Sequence, residues 1–520
     1  MDRQKLQIWA LPVIQTISIE QMLATPIENG YLFHQPKYFY NYIADHASEF
    51  LDIAINENLT HQDFIFGDKG NGTAEGEKSR NSFLLLSNSP KNVMDELLVE
   101  GRFLIKATTI LTQVCTYSSY HLAKSLASRV ASIFTNIITK TKDKDIIVDS
   151  VGFLTHMIRF MEDPVIFDLF HLMVSINDDF KEMQGLLSQV KLYEFVLDEL
   201  SSDAANDPVA LIEKQKNLCI FIQDCLKNPI LRDSFQNEKI LKKLTEMLKY
   251  KQNVLVSQSS FEYGNIEIRL INNIWEALSL IPCRKLMPKM QDITSLSIGV
   301  IKHLTESTIS QDIPSIQTIE YNAHKFIRKY HVCAFDLISK VAILNPSTID
   351  INGRNILIQS TLKTIDAFPN STNLITAAFR VVKSSLLCSE FAKMMVETLM
   401  PKMISLARSS LRTAASAAAT HFLADMDKTK SSSTMINSFL TTNNQYMSFY
   451  QSYFKHYLEE AYVPYGGPVS KCVRFEIEKA KKMKQKLEQK ILKKLKKSSD
   501  HLEKKADHDS INLKKENIVY

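Results

Sequence analysis

The feature that most constrains this chain is a long train of apolar residues at helical spacing, interrupted every 15 to 20 residues and never replaced by sustained two-residue alternation. From Asn92 onward, stretches such as FLIKATTILTQVCTYSS, LAKSLASRVASIFTNIITK and KEMQGLLSQVKLYEFVLDEL follow one another. Between them lie short polar or proline breaks, TKDKD, EDP, NDDF and SSDAANDP, whose residue types end one helix and cap the next. Glycine and proline agree, because only 13 Gly and 15 Pro occur in 520 residues, too few for the turns of an all-β fold. A single amphipathic helix of this kind cannot bury its apolar face alone. Consecutive helices therefore must stack as antiparallel pairs, and the expectation is an all-α, degenerate HEAT/armadillo-like α-solenoid with a repeat of roughly 40 residues, a large irregular helical bundle being the alternative.

Organisation follows composition. Residues 1–55 read as an N-terminal helical segment, and residues 56–90, with the cluster GDKGNGTAEGEKS, as an exposed loop and linker. Residues 91–470 read as the helical-repeat body, 471–497 as a basic amphipathic helix and 498–520 as a disordered tail. The basic helix carries Ala480, Met483, Leu487, Ile491 and Leu495 on one stripe among lysines. Charge is unevenly placed: residues 471–520 hold 16 Lys and Arg against 8 Asp and Glu, while the first 470 residues hold 46 against 49. The net charge of +5 is thus a property of the tail, and nucleic acid is not an expected partner except through it.

Chemistry-bearing motifs are sparse. Gly72 and Gly76 precede Lys78 and Ser79, but Glu77 separates the second glycine from the lysine, which breaks the phosphate-cradling pattern. Seven scattered cysteines, Cys219 and Cys225 among them, read as reduced core thiols. His324, His331 and Cys333 lack metal-ligand spacing, and the neighbours Lys325, Arg328 and Lys329 make a positive stretch suited to an acidic partner or simply to solvent. Asp168 and His171, one turn apart on a helix opened by Pro164, are a conceivable pair, yet two donors do not make a metal site. A polar ridge facing a groove or a neighbouring repeat is the simpler reading. No HExxH, GxSxG, kinase or dinucleotide signature occurs, so neither an enzyme nor a cofactor is expected. No apolar run reaches membrane-spanning length, and the expected location is the cytoplasm, with the nucleus also open.

Several of these segments resemble the SAPS-domain family. RNSFLLLSNSPKNVMDELLVEG is similar to a family stretch in which one helix precedes a short polar break and the next helix. DKDIIVDSVGFLTHMIRFMEDPVIFDLFHLMVS resembles the family's most recognisable region, with Asp168 on its aspartate and Ser175 on its terminal serine. Phe167 stands where the family usually has methionine, and His171 where it has arginine. IEKQKNLCIFIQDCLKN, AFPNSTNLITAAFRVVKSSLL with Asn373 and Leu374 in register, and YGGPVSK near Tyr465 keep the family's order. The resemblance implies a non-catalytic regulatory subunit that binds a serine/threonine protein phosphatase catalytic subunit of the phosphatase 6 class and directs it to substrates, with room for a further regulatory subunit. Asp168, His171, Ser175 and Asn373 are then the candidate partner-binding residues. An armadillo/HEAT-type adaptor or transport scaffold is the alternative, and a nucleic-acid or ribosome-associated protein acting through the tail is a third.

Overall fold

A computed structural model describes residues 18–24, 37–63, 73–114, 116, 118–141, 149–202, 207–257, 266–306, 327–386, 388–429 and 434–461. All regular structure among them is helical. The chain divides into two compact units, residues 1–423 and 424–520.

In the first unit, short helices Ile19–Leu23, Lys37–Asp45 and Ala47–Ala54 precede the helices that carry the architecture. These are α1 (Ala74–Asn88), α2 (Tyr120–Lys140), α3 (Val151–Met157), α4 (Pro164–Val174), α5 (Leu192–Ser201), α6 (Pro208–Lys227) and α7 (Glu238–Ser257). They continue as α8 (Ile266–Leu280), α9 (Gln291–Glu306), α10 (Lys329–Leu344), α11 (Ile351–Ala367), α12 (Thr372–Ser385) and α13 (Ser389–Arg408). The starts have local causes. In both Asp-Pro breaks the aspartate becomes an N-cap: Asp163 accepts from the Val165 amide at 2.9 Å, and Asp207 from the Val209 amide at 3.0 Å. Proline then occupies the first helical position, where no amide donor is needed.

Two layers result. Helices α1, α2, α4, α6, α8, α10 and α12 pack in succession as one layer, and α5, α7, α9, α11 and α13 form the other. Polar contacts reveal the direction of stacking in the first layer. Arg129 Nη1 donates to Ser79 Oγ at 2.7 Å, and Asn136 Nδ2 to the Leu86 carbonyl at 2.9 Å. Both partners advance together by seven residues, so α1 and α2 run parallel. The same holds for α4 on α6 (Met161 carbonyl to Asn217, Val174 carbonyl to Asn228) and for α10 on α12 (Asp336 to Arg380, Ser339 to Ser384). Parallel neighbours in one layer require the intervening chain to return through the other, which is the hairpin repeat of a solenoid-like all-α fold.

The polar links do specific work. The last turn of an α-helix leaves carbonyls without intrahelical partners, and burying them bare costs free energy. Here side chains from neighbouring segments reach them. Asn81 takes the carbonyl of Leu23 at 2.7 Å, Asn136 that of Leu86, and Lys340 Nζ that of Ser279. At the end of α4, Gln184 Nε2 binds the Met173 and Ser175 carbonyls at 2.8 and 2.9 Å, and Asn228 Nδ2 binds Val174 at 2.9 Å and Gln184 Oε1 at 3.0 Å. Neighbouring helices share an apolar core, with ring contacts such as Phe134–Phe153 at 5.3 Å between α2 and α3 and Phe170–Phe221 at 5.5 Å between α4 and α6.

One expectation is corrected. Within the segment read as a loop, residues 74–88 are helix α1, capped by Thr73, whose Oγ1 accepts from the Gly76 amide at 3.1 Å. A Cβ on Gly76 would stand 2.7 Å from the Asp63 carbonyl oxygen, so glycine is required there by close backbone approach. Ser79 is buried and donates to the Ala54 carbonyl, which removes it from any phosphate-binding role. Gly72 lies outside the described residues, as do the basic segment 471–497, the tail 498–520 and the Tyr465 element.

The second unit is described over residues 424–429 and 434–461. Helices Thr434–Thr442, Asn444–Phe449 and Lys455–Ala461 gather Tyr446, Phe449 and Phe454 into a small aromatic core, with Phe449 and Phe454 stacked at 5.0 Å.

Candidate partner-binding face

Helix α4 is apolar on most sides, and its packing decides which residues remain for a partner. Ile166, Leu169, Phe170, Met173 and Val174 are buried against the neighbouring helices. Asp168 and His171 are left exposed on one flank, with the half-buried Phe167 ring stacked on the imidazole at 6.2 Å. The two polar residues do not pair with each other. His171 Nδ1 instead lies 2.8 Å from Asp224 Oδ2 on α6, and Lys227 Nζ approaches the other Asp224 oxygen at 4.0 Å. A single polar contact with the imidazole side exposed contributes about 0–1 kcal/mol to stability, so the arrangement orients His171 rather than holding the fold. Asp168 has no hydrogen-bond or ion-pair partner among the described residues.

The other two candidates are placed differently. Ser175 caps the C-terminal end of α4, its hydroxyl donating to the Leu172 carbonyl at 2.6 Å, while its own carbonyl is held by Gln184. That is a structural post. Asn373 is exposed near the start of α12, and in the order of packing α6, α8 and α10 come between it and α4. Leu374, its neighbour in the resemblance, is fully buried.

Further polar pairs join the layer beyond α6. Gln223 Nε2 donates to the Asn273 carbonyl at 3.0 Å, Lys329 pairs with Glu276, and Arg380 Nη1 with Asp336 Oδ1 at 2.7 Å. These links between α6, α8, α10 and α12 leave no local signal in the sequence, because their partners lie some 50 residues apart.

The remaining sequence candidates resolve into packing. His331 is buried, its Nδ1 accepting from the Arg328 amide at 3.0 Å, and burial together with the nearby Arg328 and His303 charges pushes its pKa down to about 3. It is therefore a neutral core imidazole and no part of a positive patch. His324 and Lys325 fall outside the described residues. Burial drives the Cys219 and Cys225 thiols well above their ordinary range and Cys333 up to about 12. Among the described residues no cluster of three or more His, Cys, Asp or Glu could hold a metal, and no helix is long and apolar enough to cross a membrane.

The chain matches no protein-family model and no curated protein. Among solved structures it is similar to the crystal structure of an engineered protein, at 13% identity and a TM-score of 0.40 over 85% of this chain and 98% of that one. A likeness at that level bears on neither fold nor function.

Proposed function

We propose that this chain is a non-catalytic scaffold subunit that binds a serine/threonine protein phosphatase catalytic subunit of the phosphatase 6 class and directs it to substrates. The observation that carries the reading is Asp168: on the helix that resembles the SAPS-domain run, it is the exposed carboxylate left without a partner beside a charge group that is already paired. The layered repeats supply a preorganised surface on which such a residue keeps its position. The chain itself contributes no bond-making group. It raises the local concentration of substrate beside the tethered catalytic subunit.

Affinity capture of the full chain from its own cells, followed by mass spectrometry, tests the reading. A phosphatase catalytic subunit is expected in stoichiometric amount, and Asp168→Lys is expected to remove it while leaving the thermal unfolding midpoint unchanged. Capture without any phosphatase, or full capture by Asp168→Lys, contradicts the proposal. Recovery of cargo peptides or transport factors instead would favour the adaptor reading. Trp275 is fully buried, which gives that reading no exposed groove tryptophan on α8.

A further inference from the structure

Away from the Asp168 flank, a cleft of about 400 Å³ opens between α5 and the segment formed by α3 and the tight turn Ile158–Phe160. Its volume is at the lower end of the range for ligand sites, roughly 300–1,000 Å³. The two walls carry opposite charge. Phe195, Asp198, Glu199 and Ser202 are spaced i, i+3, i+4 and i+7 and so form one stripe along α5 and its end. Across from them stand His156 and Arg159.

The charges that face the cleft are not matched to each other. Arg159 has no ion-pair partner among the described residues, and its guanidinium lies 4.9 Å from the Phe160 ring centre and 6.0 Å from that of Tyr120. Cation–π contact of this kind holds the guanidinium beside the rings while leaving its N–H donors available. Tyr120 is itself held, its hydroxyl donating to Glu162 Oε1 at 2.6 Å. On the other wall Glu199 is neutralised by the fully buried Lys214 of α6, which pins α5 in place. Asp198 is exposed and without an ion-pair partner among the described residues, and Phe195 keeps 39% of its surface in solvent one turn before it. A guanidinium held against aromatic rings and an exposed carboxylate one turn from Phe195 thus line the same cleft without pairing.

We infer that this cleft binds a segment of a partner polypeptide that carries one acidic and one basic side chain a few residues apart. Arg159 takes the carboxylate, and Asp198 takes the ammonium or guanidinium, whose flat or aliphatic part lies on Phe195. A purely acidic segment meets Asp198 and a purely basic one meets Arg159, so the walls discriminate by repulsion as well as attraction. The inference stands independently of the phosphatase reading.

Fluorescence anisotropy with the full chain provides the test. The probes are labelled nonapeptides of Gly, Ser and Ala bearing Glu then Lys, Lys then Glu, two Glu, or two Lys, at spacings of two to four residues. One mixed order should bind at least roughly tenfold more tightly than either single-sign peptide. Arg159→Gln and Asp198→Asn should each abolish that preference, and the charge-swapped double variant Arg159→Glu with Asp198→Lys should prefer the opposite order. Thermal unfolding checks that the variants remain folded. Equal binding of all four peptides, no binding at millimolar peptide, indifference to the Arg159 and Asp198 variants, or displacement by free zwitterionic amino acids at the same concentration would each overturn the inference.

Discussion

Asn228 is the residue at which the repeat architecture is most open to a quantitative test. It is buried between α4 and the start of the next return, with 1% of its surface exposed. Its Nδ2 serves the Val174 carbonyl and Gln184 Oε1, and its Oδ1 accepts from the amides of Ile230 at 2.8 Å and Leu231 at 3.3 Å. Asn228→Ala removes all four hydrogen bonds and leaves the terminal carbonyl of α4 buried. A net hydrogen bond is worth about 1 kcal/mol, and a buried group left bare costs about 1–3 kcal/mol. Counting the three contacts at 3.0 Å or shorter, the expected loss is about 3–4 kcal/mol. Urea unfolding followed by far-UV circular dichroism should show a lowered midpoint. Because the damage is at one junction between repeats, hydrogen exchange should accelerate first in α4 and the residues around Gln184. Asn373→Ala, which alters an exposed side chain, is the control and should change stability by less than about 0.5 kcal/mol. If Asn228→Ala behaves like that control, the side-chain capping of helix ends described above is not what joins the repeats.

Two further outcomes follow from buried charge. Glu199→Ala strands the fully buried Lys214 and should cost about 3–5 kcal/mol, whereas Lys214→Met leaves Glu199 free to reach water and should cost clearly less; denaturant midpoints of the two variants compare them. His331 has its folded pKa pushed down to about 3 from 6.5, so between those values the unfolded chain takes up a proton that the folded chain refuses. Its contribution is complete above pH 6.5 and is lost as pH falls, by up to about 1.4 kcal/mol per pH unit. His331→Gln should therefore flatten the fall in stability measured between pH 7 and pH 5.

Local chemistry was legible in the sequence where the signal was local. The Asp-Pro pairs at 163–164 and 207–208 mark helix starts, and both became N-caps because their side chains bond amides two residues on. Thr73, followed by Glu75 and Glu77, carries the same kind of signal, but the surrounding glycines mask it and give α1 the composition of a loop. Long-range partners were not legible. Asp168 and His171 share a helix flank as their spacing requires, yet the imidazole is taken by Asp224, 53 residues away, which only packing of α4 on α6 determines. The buried Asn136, Asn217 and Asn228 look like ordinary polar residues in sequence; their role depends on which helix end lies opposite. The cleft between α3 and α5 was invisible for the same reason.

Zero-length carboxyl–amine crosslinking of the native chain, read by mass spectrometry, tests the stacked-repeat account most directly. The stacking of successive segments predicts links between Lys106 and Glu57, Lys239 and Glu194, Lys289 and Glu238, Lys249 and Asp292, and Lys329 and Glu276, whose paired groups are close enough to couple. These links span 43 to 53 residues each. Their absence, alongside abundant links spanning several times that separation, would contradict it.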